Sequence, residues 1–348
     1  MIYNYNCDIL NELMNKKKKR ILIIRCGLLG DTIDSTSVVR PLLNYYKGEL
    51  EIEWVTKPNL KDLFEFDENI KPIFVRFTKL PILLNMDKLK IVIKSFFNPY
   101  DAVINLELGK KFVSLAKYTN AKLKVGMPHT YVAENVKNEH RVHHQLKIIE
   151  SYYKKINRSN AFPYLKGSSI NVFHKYQIKN KYIVCCPTNS KFKKENYRGY
   201  RAWPLKNWQD LIDKVLQSTD FDIVVTGSNN EKGFIDELNF DNHRVHNLCG
   251  KTSIPNLVEI MKNAECAIAN DSGAVHVAGV SCKKVISLHG PTPFRETGPY
   301  GNGDNEIREA NINMKCSPCY NTDTIRKCPS NLCMINLTPD KVFNLIIK

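Results

Sequence analysis

The sequence lacks an apolar run that approaches the roughly 18 residues expected of a membrane-spanning helix. A short apolar stretch, residues 21–24, comes after the basic residues 16–20 and gives a superficial likeness to a secretory signal peptide. The stretch is too short for a signal peptide, and the charged residues Arg25 and Asp31 come soon after it. We therefore expect a basic surface segment, then a buried strand, in a protein that stays in the cytoplasm.

Several motifs with well-defined chemistry are also missing. The glycines do not follow the G-x-G-x-x-G spacing, so a dinucleotide-binding fingerprint is not supported. The glycine-containing turns lack an adjacent Asp-x-Asp pair, the usual acidic clamp for a divalent metal. Signatures of helix-turn-helix, RNA-recognition and zinc-finger modules are absent too. Only the net charge therefore supports a nucleic-acid-binding protein.

The composition is that of an ordinary globular protein with an unusual charge. The 348 residues suffice for about two domains, and a hydrophobic fraction of 43% is enough for a sizeable core. The net charge of +16 indicates an anionic partner such as nucleic acid, a phosphorylated glycolipid, a membrane surface or a nucleotide. Alternatively, part of the excess reflects a genome that favours Lys and Asn codons. The 11 cysteines are expected to be reduced in the cytoplasm, unless a metal or a redox site holds some of them.

Short apolar runs alternate with amphipathic stretches, which predicts parallel sheets covered by helices. The pattern occurs twice, and a turn-rich stretch near residues 157–180 separates the two halves. We predict strands at residues 21–26, 51–55, 70–75, 100–106, 123–125, 182–186, 222–226, 266–269 and 284–288. We predict helices at residues 32–46, 88–97, 145–155, 205–217, 254–262, 271–278 and 339–347. Ligands bind at the carboxyl ends of such strands, so a cleft between the two sheets is the expected site.

The first candidate site is the turn G-L-L-G-D at residues 27–31, directly after the first predicted strand. Gly27 and Gly30 would let the backbone turn tightly and come close to a ligand. Asp31 then lies at the mouth of the expected cleft, near the start of a helix. The sequence leaves two interpretations of Asp31 open: a carboxylate that faces a ligand, or the N-cap of the helix.

The second candidate site is R-A-W-P at residues 201–204, just before a predicted helix. Pro204 suits the entry to a helix, and the N-terminal end of a helix attracts phosphate oxygens. Arg201 adds a fork of donors that matches a phosphate. The alternative is a solvated arginine beside a core tryptophan. We expect the basic residues of the preceding loop to be mostly solvated: Lys191, Lys193, Lys194 and Arg198.

The third candidate site is the most specific, N-D-S-G-A-V-H at residues 270–276. Ser272 and Gly273 would present backbone N–H groups at a helix start, which is a ready anion site. His276 lies one helical turn later, where it either contacts a ligand or makes a structural hydrogen bond. Two further glycine-containing turns come after it, H-G-P-T at residues 289–292 and T-G-P-Y-G at residues 297–301. Such turns in tandem indicate a nucleotide-diphosphate pocket.

Taken in order, these motifs resemble those of glycosyltransferase family 9, the heptosyltransferases. That family shows a G-x-x-G-D or S-x-x-G-D turn after a strand, a basic-x-W-P segment, a D-[ST]-G-x-x-H segment, and a G-P-T turn ahead of T-G-P. The resemblance extends over roughly residues 20–337. The matching segments are residues 27–31, 201–204, 271–276, 290–292 and 297–299.

The resemblance implies an α/β protein of GT-B architecture, with two Rossmann-like domains facing across a cleft. Residues 1–165 would bind the acceptor, and residues 166–348, with a cysteine-rich tail and a C-terminal helix, would bind the nucleotide sugar. The implied reaction is an inverting, metal-independent transfer without a required cofactor, from ADP-heptose to a phosphorylated glycolipid of the lipopolysaccharide core. We expect peripheral contact with the cytoplasmic face of the inner membrane and no nucleic-acid partner.

The resemblance also assigns roles to individual residues. The family's general base maps to Asp31, with Gly27 and Gly30 in the same acceptor-side loop. The family's phosphate-contacting basic residue, often a lysine, maps to Arg201. The donor-binding segment maps to Asp271, Ser272, Gly273 and His276. Glu231, in the segment G-S-N-N-E, is a candidate for the ribose hydroxyls, whereas His289 replaces the family's usual phenylalanine and has no assigned role.

Four cysteines near the C-terminus form a C-x2-C…C-x4-C pattern: Cys316, Cys319, Cys328 and Cys333. Zinc prefers four thiolates at such spacings. The alternatives are local disulfides and reduced, partly buried thiols. We expect no other metal.

Two alternative functions stay open from the sequence alone. One is a transferase of the same fold with another nucleotide sugar, or with a capsule or O-antigen acceptor. The more distant one is a basic nucleic-acid-binding protein.

Overall fold

The computed structural model describes residues 18–130, 138–189, 200–320 and 322–348. The chain forms two compact units. The first contains the described residues of Met1–Gly27, Ser37–Glu134 and Gln145–Ala161, and the second those of Leu28–Thr36, Asn135–His144 and Phe162–Lys348. The chain therefore passes between the units more than once. Residues 16 and 17 of the basic N-terminal segment, and the predicted solvated lysines and arginine at 191–198, lie outside the described residues.

Each unit is built on a parallel sheet. The strands are β1 (Lys19–Ile24), β2 (Leu50–Thr56), β3 (Ile70–Phe74), β4 (Tyr100–Asn105), β5 (Ala121–Gly126), β6 (Tyr182–Cys186), β7 (Asp222–Val225), β8 (Val245–Asn247), β9 (Cys266–Asn270), β10 (Lys284–Leu288) and β11 (Glu306–Ala310). The first sheet has the order β3-β2-β1-β4-β5 and the second the order β11-β10-β9-β6-β7-β8. In the first sheet, Ile21 pairs with Ile52 on one side and with Ala102 on the other.

Helices connect these strands, as parallel pairing requires. They are α1 (Leu29–Ser35), α2 (Val39–Tyr45), α3 (Met86–Phe97), α4 (Val113–Tyr118), α5 (Arg141–Glu150), α6 (Val172–Tyr176), α7 (Leu205–Ser218), α8 (Lys232–Ile235), α9 (Ile254–Lys262), α10 (Gly273–Ser281), α11 (Phe294–Thr297), α12 (Asp323–Arg326), α13 (Leu332–Ile335) and α14 (Pro339–Ile347). In the described part of the chain, no helix combines the length and the apolar character needed to cross a membrane.

The core of the second unit centres on two tryptophans of the R-A-W-P segment and the helix behind it. Trp203 and Trp208 are fully buried, and their rings meet edge to face with centroids 5.2 Å apart. The Trp203 indole N–H donates to the carbonyl of Leu337, 2.7 Å away, just before α14. Helix α14 packs against α7, β10 and β11, so the C-terminal helix belongs to the core of the second unit.

The alternation of strands and helices in two parallel sheets is confirmed, with local corrections. The predicted helix 32–46 begins earlier, at Leu29, and is two helices separated by a 3₁₀ turn, Thr36–Val38. The predicted helix 145–155 lies at Arg141–Glu150. Strands β8 and β11 were not predicted, because β8 is only three residues long and β11 is a largely polar edge strand, Glu-Ile-Arg-Glu-Ala. The division of roles at residues 165 and 166 remains a prediction.

Candidate active site

Asp31 lies in the first turn of α1, where it is the third helical residue. Leu28 occupies the N-cap position, so the prediction of Asp31 as the N-cap is wrong by three residues. The Leu28 backbone N–H donates to Asp31 Oδ2 at 3.2 Å, so the carboxylate still satisfies a free amide of the helix start. Its other oxygen accepts a hydrogen bond from Arg141 Nη1 at 2.6 Å. The Asp31 side chain is 22% exposed, which leaves it accessible to a substrate.

Arg141 begins α5 and reaches Asp31 from 110 residues away in the chain. Contacts with Glu296 and with the turn at residues 297–301 hold the segment before Arg141 in the second unit. Asn138 N–H donates to Glu296 Oε1 at 2.9 Å, and His140 Nε2 lies 2.9 Å from the Gly298 carbonyl oxygen. The His140 ring also packs on Tyr300, with centroids 4.8 Å apart. The turn at residues 297–301 therefore helps to position the arginine that orients Asp31.

Asp34, one turn after Asp31 on α1, pairs with His276 of α10. His276 Nδ1 lies 3.0 Å from Asp34 Oδ1, and both side chains are buried. Burial alone would lower the pKa of His276, but the paired Asp34 carboxylate, with further contributions from Asp271 and Asp31, raises it above its ordinary value. The three carboxylates therefore favour the protonated form of His276. Asp34 Oδ2 is buried and has no hydrogen-bond partner among the described residues.

Two glycines allow α1 and α10 to approach so closely. A Cβ atom on Gly30 would lie only 2.5 Å from Cδ2 of the His276 ring. A Cβ atom on Gly273 would lie 2.9 Å from the side chain of Leu29. Gly30 therefore lies inside the helix contact rather than in an open loop. Gly27 lies between β1 and α1, where the chain passes from the first unit to the second.

Arg201 and Asp271 form a second, more deeply buried ion pair. Arg201 Nη1 donates to Asp271 Oδ2 at 2.9 Å. The interpretation of Arg201 as a solvated residue is wrong, because its side chain is largely buried. Burial would raise the pKa of Asp271, but the charges of His289 and Arg201 and a hydrogen bond from Thr292 hold the pKa below its usual range. Arg201 also lies over the ring of Tyr320, 5.6 Å from its centroid.

His289, which the sequence left without a role, is a neighbour of this ion pair. Its Nδ1 lies 3.2 Å from Thr292 Oγ1, and the ring is almost completely buried. Burial lowers the pKa of His289 despite the nearby Asp271 carboxylate. Nε2 is buried without a hydrogen-bond partner in the described part of the chain. The ring meets Phe294 edge to face, with centroids 5.2 Å apart, so His289 keeps part of the aromatic packing that a phenylalanine would give.

Ser272 is the N-cap of α10, yet its hydroxyl does not cap the helix. Its Oγ is buried without a hydrogen-bond partner among the residues that the structure describes. The first-turn amides of α10 and this hydroxyl are thus hydrogen-bond donors beside Asp271. The N-terminal end of a helix carries a partial positive charge and favours an anion such as phosphate.

Glu231 has a structural contact of its own. Its Oε2 accepts a hydrogen bond from the Ser228 backbone N–H at 2.6 Å, at the start of the 3₁₀ turn Asn229–Glu231. Burial raises the pKa of Cys249 and of Cys186, and the charge of Glu231 adds to both shifts. One carboxylate oxygen is thus engaged in a cap, and a ribose contact for Glu231 stays a prediction.

The cysteine-rich tail packs on the G-P-T turn. Cys319 and Tyr320 N–H groups both donate to the Pro291 carbonyl at 2.8 Å. A Cβ atom on Gly290 would lie 2.7 Å from Cys333 Sγ. Burial, together with the neighbouring thiols of Cys319, Cys328 and Cys316, raises the pKa of Cys333 to about 11. The tail therefore supports the turn that carries Thr292.

The metal and disulfide alternatives for these cysteines gain no support. The ten cysteines in the described part of the chain are free. Within residues 18–130, 138–189, 200–320 and 322–348, no three His, Cys, Asp or Glu side chains are grouped so that they could hold a metal ion. The pattern C-x2-C…C-x4-C thus brings the thiols near one another without forming a ligand set.

The second unit therefore joins two sets of residues. The Asp31 group comprises Asp31, Arg141, Asp34 and His276, and the Asp271 group comprises Asp271, Arg201, Thr292 and His289. The carboxylates of Asp31 and Asp271 both raise the pKa of His276, so the two groups lie within electrostatic range of each other. One group offers an accessible carboxylate, and the other offers a largely buried cation, Arg201, beside the first-turn amides of α10.

Two Rossmann-like α/β units with polar groups at the carboxyl ends of the strands define the class of the protein. It has the GT-B fold of nucleotide-sugar glycosyltransferases. The family model for glycosyltransferase family 9 (heptosyltransferase) matches residues 92–328. The chain belongs to this family, and it is a glycosyltransferase.

Relatives agree with this membership, and a solved structure shares the fold. A lipooligosaccharide heptosyltransferase 2 of Campylobacter jejuni serotype O:2 is 27% identical over 289 residues, which is 78% of this chain and 85% of that protein. The same enzyme from serotype O:6 is 34% identical over 113 residues, about a third of each chain. The structure of E. coli heptosyltransferase WaaC with ADP aligns with a TM-score of 0.68 and 16% identity, over 94% of this chain and 99% of that one.

Two members of the site were missed at the sequence level. Asp34 comes three residues after Asp31, which places both on one face of a helix, and this spacing was a usable signal. Arg141 had no such signal, because its partner lies far away in the chain and no motif surrounds it.

Proposed function

We propose that this protein transfers a heptosyl group from ADP-heptose to a lipopolysaccharide core acceptor, by an inverting reaction that does not need a metal. The main observation behind this proposal is that one unit holds both an accessible carboxylate, Asp31, and a largely buried cation, Arg201. Asp31 and Asp271, the partner of Arg201, both lie close enough to His276 to raise its pKa. Family membership and the similarity to named heptosyltransferases support the choice of heptose. The ADP bound to the solved heptosyltransferase supports the choice of nucleotide.

In this proposal Asp31 is the general base. The acceptor hydroxyl oxygen attacks the anomeric carbon of the donor sugar while its proton passes to the Asp31 carboxylate. The bond between the anomeric carbon and the diphosphate oxygen breaks, and its electron pair leaves with ADP. Attack from the face opposite the leaving group inverts the anomeric configuration. Arg141 and the Leu28 N–H orient the carboxylate, and a positioned base typically contributes about 10²–10⁴-fold.

The leaving diphosphate needs positive charge as the bond breaks. We assign this task to Arg201, the first-turn amides of α10 and the Ser272 hydroxyl. The positive charge that Asp34 favours on His276 adds to the same field. Asp271 and Thr292 position Arg201 for this role, since the three are joined by hydrogen bonds. Glu231 would bind the ribose hydroxyls with its remaining carboxylate oxygen.

The proposed acceptor also implies where in the cell the enzyme would work. A lipopolysaccharide core is built on a lipid anchor, so the enzyme would work at the cytoplasmic face of the inner membrane. The net charge of +16 favours approach to an anionic glycolipid and its membrane. A nucleic-acid partner is not part of the proposal.

The first experiment is a thermal-shift screen against ADP, UDP, GDP and CDP. Selective stabilisation by ADP is expected, and stabilisation by another nucleotide instead would move the function to a different donor. ADP release is then measured with ADP-heptose and core acceptors, with and without a chelator. Loss of turnover after chelation would contradict metal independence, and NMR of the product linkage would reveal retention if the reaction is not inverting.

A further inference from the structure

Helix α3 of the first unit turns large apolar side chains toward solvent. Met86, Ile93 and Phe97 lie on one face of the helix, together with Phe96 at its edge, and they are 49–87% exposed. The row from Met86 to Phe97 is about 16 Å long at the rise of an α-helix. Lys90 lies within the same row. An ordinary surface helix has apolar side chains on its core face alone, whereas α3 buries Ile91 and Val92 and also exposes apolar side chains to solvent.

The loop before α3 carries further exposed apolar side chains. Phe77, Leu83 and Leu84 are 70–80% exposed, and Phe77 has a left-handed backbone with φ 48°. A left-handed conformation is costly for a bulky residue and persists only where the surroundings impose it. We call the exposed side chains of Phe77, Leu83, Leu84, Ile93, Phe96 and Phe97 the apolar surface.

Buried polar groups beneath the apolar surface fix its shape. The Asn85 side chain caps α3 by accepting from Lys88 N–H at 3.0 Å, and it donates to the carbonyls of Arg76 and Phe77. The fully buried Lys88 ammonium donates to the carbonyls of Thr78 and Leu80 at 2.9 and 3.0 Å. The loop is thus held from below by hydrogen bonds while its apolar side chains point outward. The exposed position of these apolar side chains is therefore fixed by the hydrogen bonds of the loop.

Exposed basic residues accompany the apolar surface. Residues 76–97 contain five basic side chains and one acidic side chain, Asp87. Arg76 pairs with Asp87 at 3.2 Å, Lys94 pairs with Glu53 at 3.0 Å, and Lys88 is buried. Lys79 and Lys90 are exposed within this segment. Lys110 and Lys111 are exposed in the adjacent 3₁₀ turn, whose Lys111 carbonyl accepts from Lys88 Nζ at 2.9 Å. Exposed apolar side chains accompanied by exposed lysines are typical of segments that lie in the interface of an anionic bilayer.

We propose that the apolar surface is a membrane-docking site that inserts into the interfacial region of an anionic phospholipid bilayer. The apolar side chains would enter the boundary between headgroups and acyl chains, and the lysines would contact lipid phosphates. A second copy of the chain is a poorer occupant, because two facing copies would bring the exposed lysines of both apolar surfaces together, and like charges repel. The inference rests on the proposed function in one respect: a lipid-anchored acceptor gives the enzyme a reason to dock.

The test is flotation of the full-length protein with vesicles of phosphatidylethanolamine containing about 30% phosphatidylglycerol, compared with neutral phosphatidylcholine vesicles. The wild type should float with the anionic vesicles. Phe96→Ser/Phe97→Ser should weaken this binding by about tenfold or more, because two large apolar side chains no longer insert. Ile335→Ser/Ile347→Ser, which removes exposed apolar residues of the second unit, should leave it unchanged. Lys79→Glu/Lys90→Glu should remove the preference for anionic vesicles.

Two measurements separate this proposal from the proposed function. ADP release with a lipid-free core oligosaccharide reports on the transferase reaction alone, and the serine variants should retain it. Analytical ultracentrifugation reports on self-association. The proposal is overturned if wild type and Phe96→Ser/Phe97→Ser float equally, if the wild type ignores anionic vesicles, or if the apolar surface mediates a dimer that the serine variant dissociates.

Discussion

His276 and Asp34 are buried side by side, with Nδ1 of the histidine 3.0 Å from Oδ1 of the aspartate, although 242 residues separate them in the sequence. The pair joins α10, which carries most of the D-S-G-A-V-H motif, to α1, which carries Asp31. Changes to this pair and to the residues around it should therefore affect both stability and catalysis.

Asp34→Asn should make stability depend less on pH. The pair raises the pKa of His276 above 6.5, so its stabilisation is complete below pH 6.5 and is lost as the pH rises through the raised pKa. We expect the free energy of unfolding to fall by about 1–3 kcal/mol near pH 6, with a smaller difference from wild type in alkaline solution. Urea unfolding across this pH range measures the effect. Asp241→Asn, an exposed change, is the control, and a difference that does not vary with pH would contradict the assignment.

Asp31→Asn should lower kcat by about 10²–10⁴-fold, because asparagine cannot accept the proton of the acceptor hydroxyl. The side chain can still accept the Leu28 N–H, so the start of α1 is preserved. ADP affinity by calorimetry should stay close to wild type. Asp87→Asn is a matched control, since Asp87 is also an acidic first-turn residue paired with an arginine, Arg76, and its kcat on a lipid-free acceptor should not change. A near-native rate for Asp31→Asn would refute the base assignment.

Arg201→Ala should weaken ADP binding and also destabilise the fold. It leaves the buried Asp271 carboxylate without its cation, which typically costs about 3–5 kcal/mol. Arg201→Lys keeps the charge, and we expect it to recover a large part of both properties. Calorimetric titration with ADP and thermal unfolding separate the two effects. Should Arg201→Ala bind ADP as tightly as wild type, the proposed role in donor binding would be wrong.

Gly30→Ala should destabilise the protein by about 1–3 kcal/mol through overpacking, since its Cβ would lie 2.5 Å from the His276 ring. Gly233→Ala is the matched control, because a Cβ at this helical position meets no described atom within 4 Å. We expect that control to be neutral or slightly stabilising. Denaturant midpoints of the two variants make the comparison. Equal midpoints would show that α1 and α10 can move apart at little cost.

The sequence was most informative where a local pattern has a local physical cause. Glycines after strands, Pro204 at a helix entry and Ser272 before Gly273 mark turns and helix starts, and the structure has α7 and α10 beginning at those places. Buried strands such as β1 were recognisable because a parallel strand covered on both faces must be apolar throughout.

The partners of these residues were harder to predict, because tertiary packing selects them. The sequence left two interpretations of Arg201, a solvated side chain or a phosphate contact. The fold pairs it instead with Asp271, 70 residues away. The Asp31 partner, Arg141, lies in a segment without any motif. His289 looked like a simple departure from the family, and only the packed turn shows its contact with Thr292.

The second unit includes Leu28–Thr36 and Asn135–His144. This limits where a fragment of the protein can begin. A fragment that begins at Phe162 would keep Arg201, Asp271 and His276, but it would lack Asp34 and Arg141. His276 would then lose its carboxylate partner, and the surface left by α1 would open to water. The portion from Phe162 onward is therefore not an autonomous folding unit, and chimeras that exchange halves between relatives should carry α1 and residues 135–144 together with the C-terminal portion.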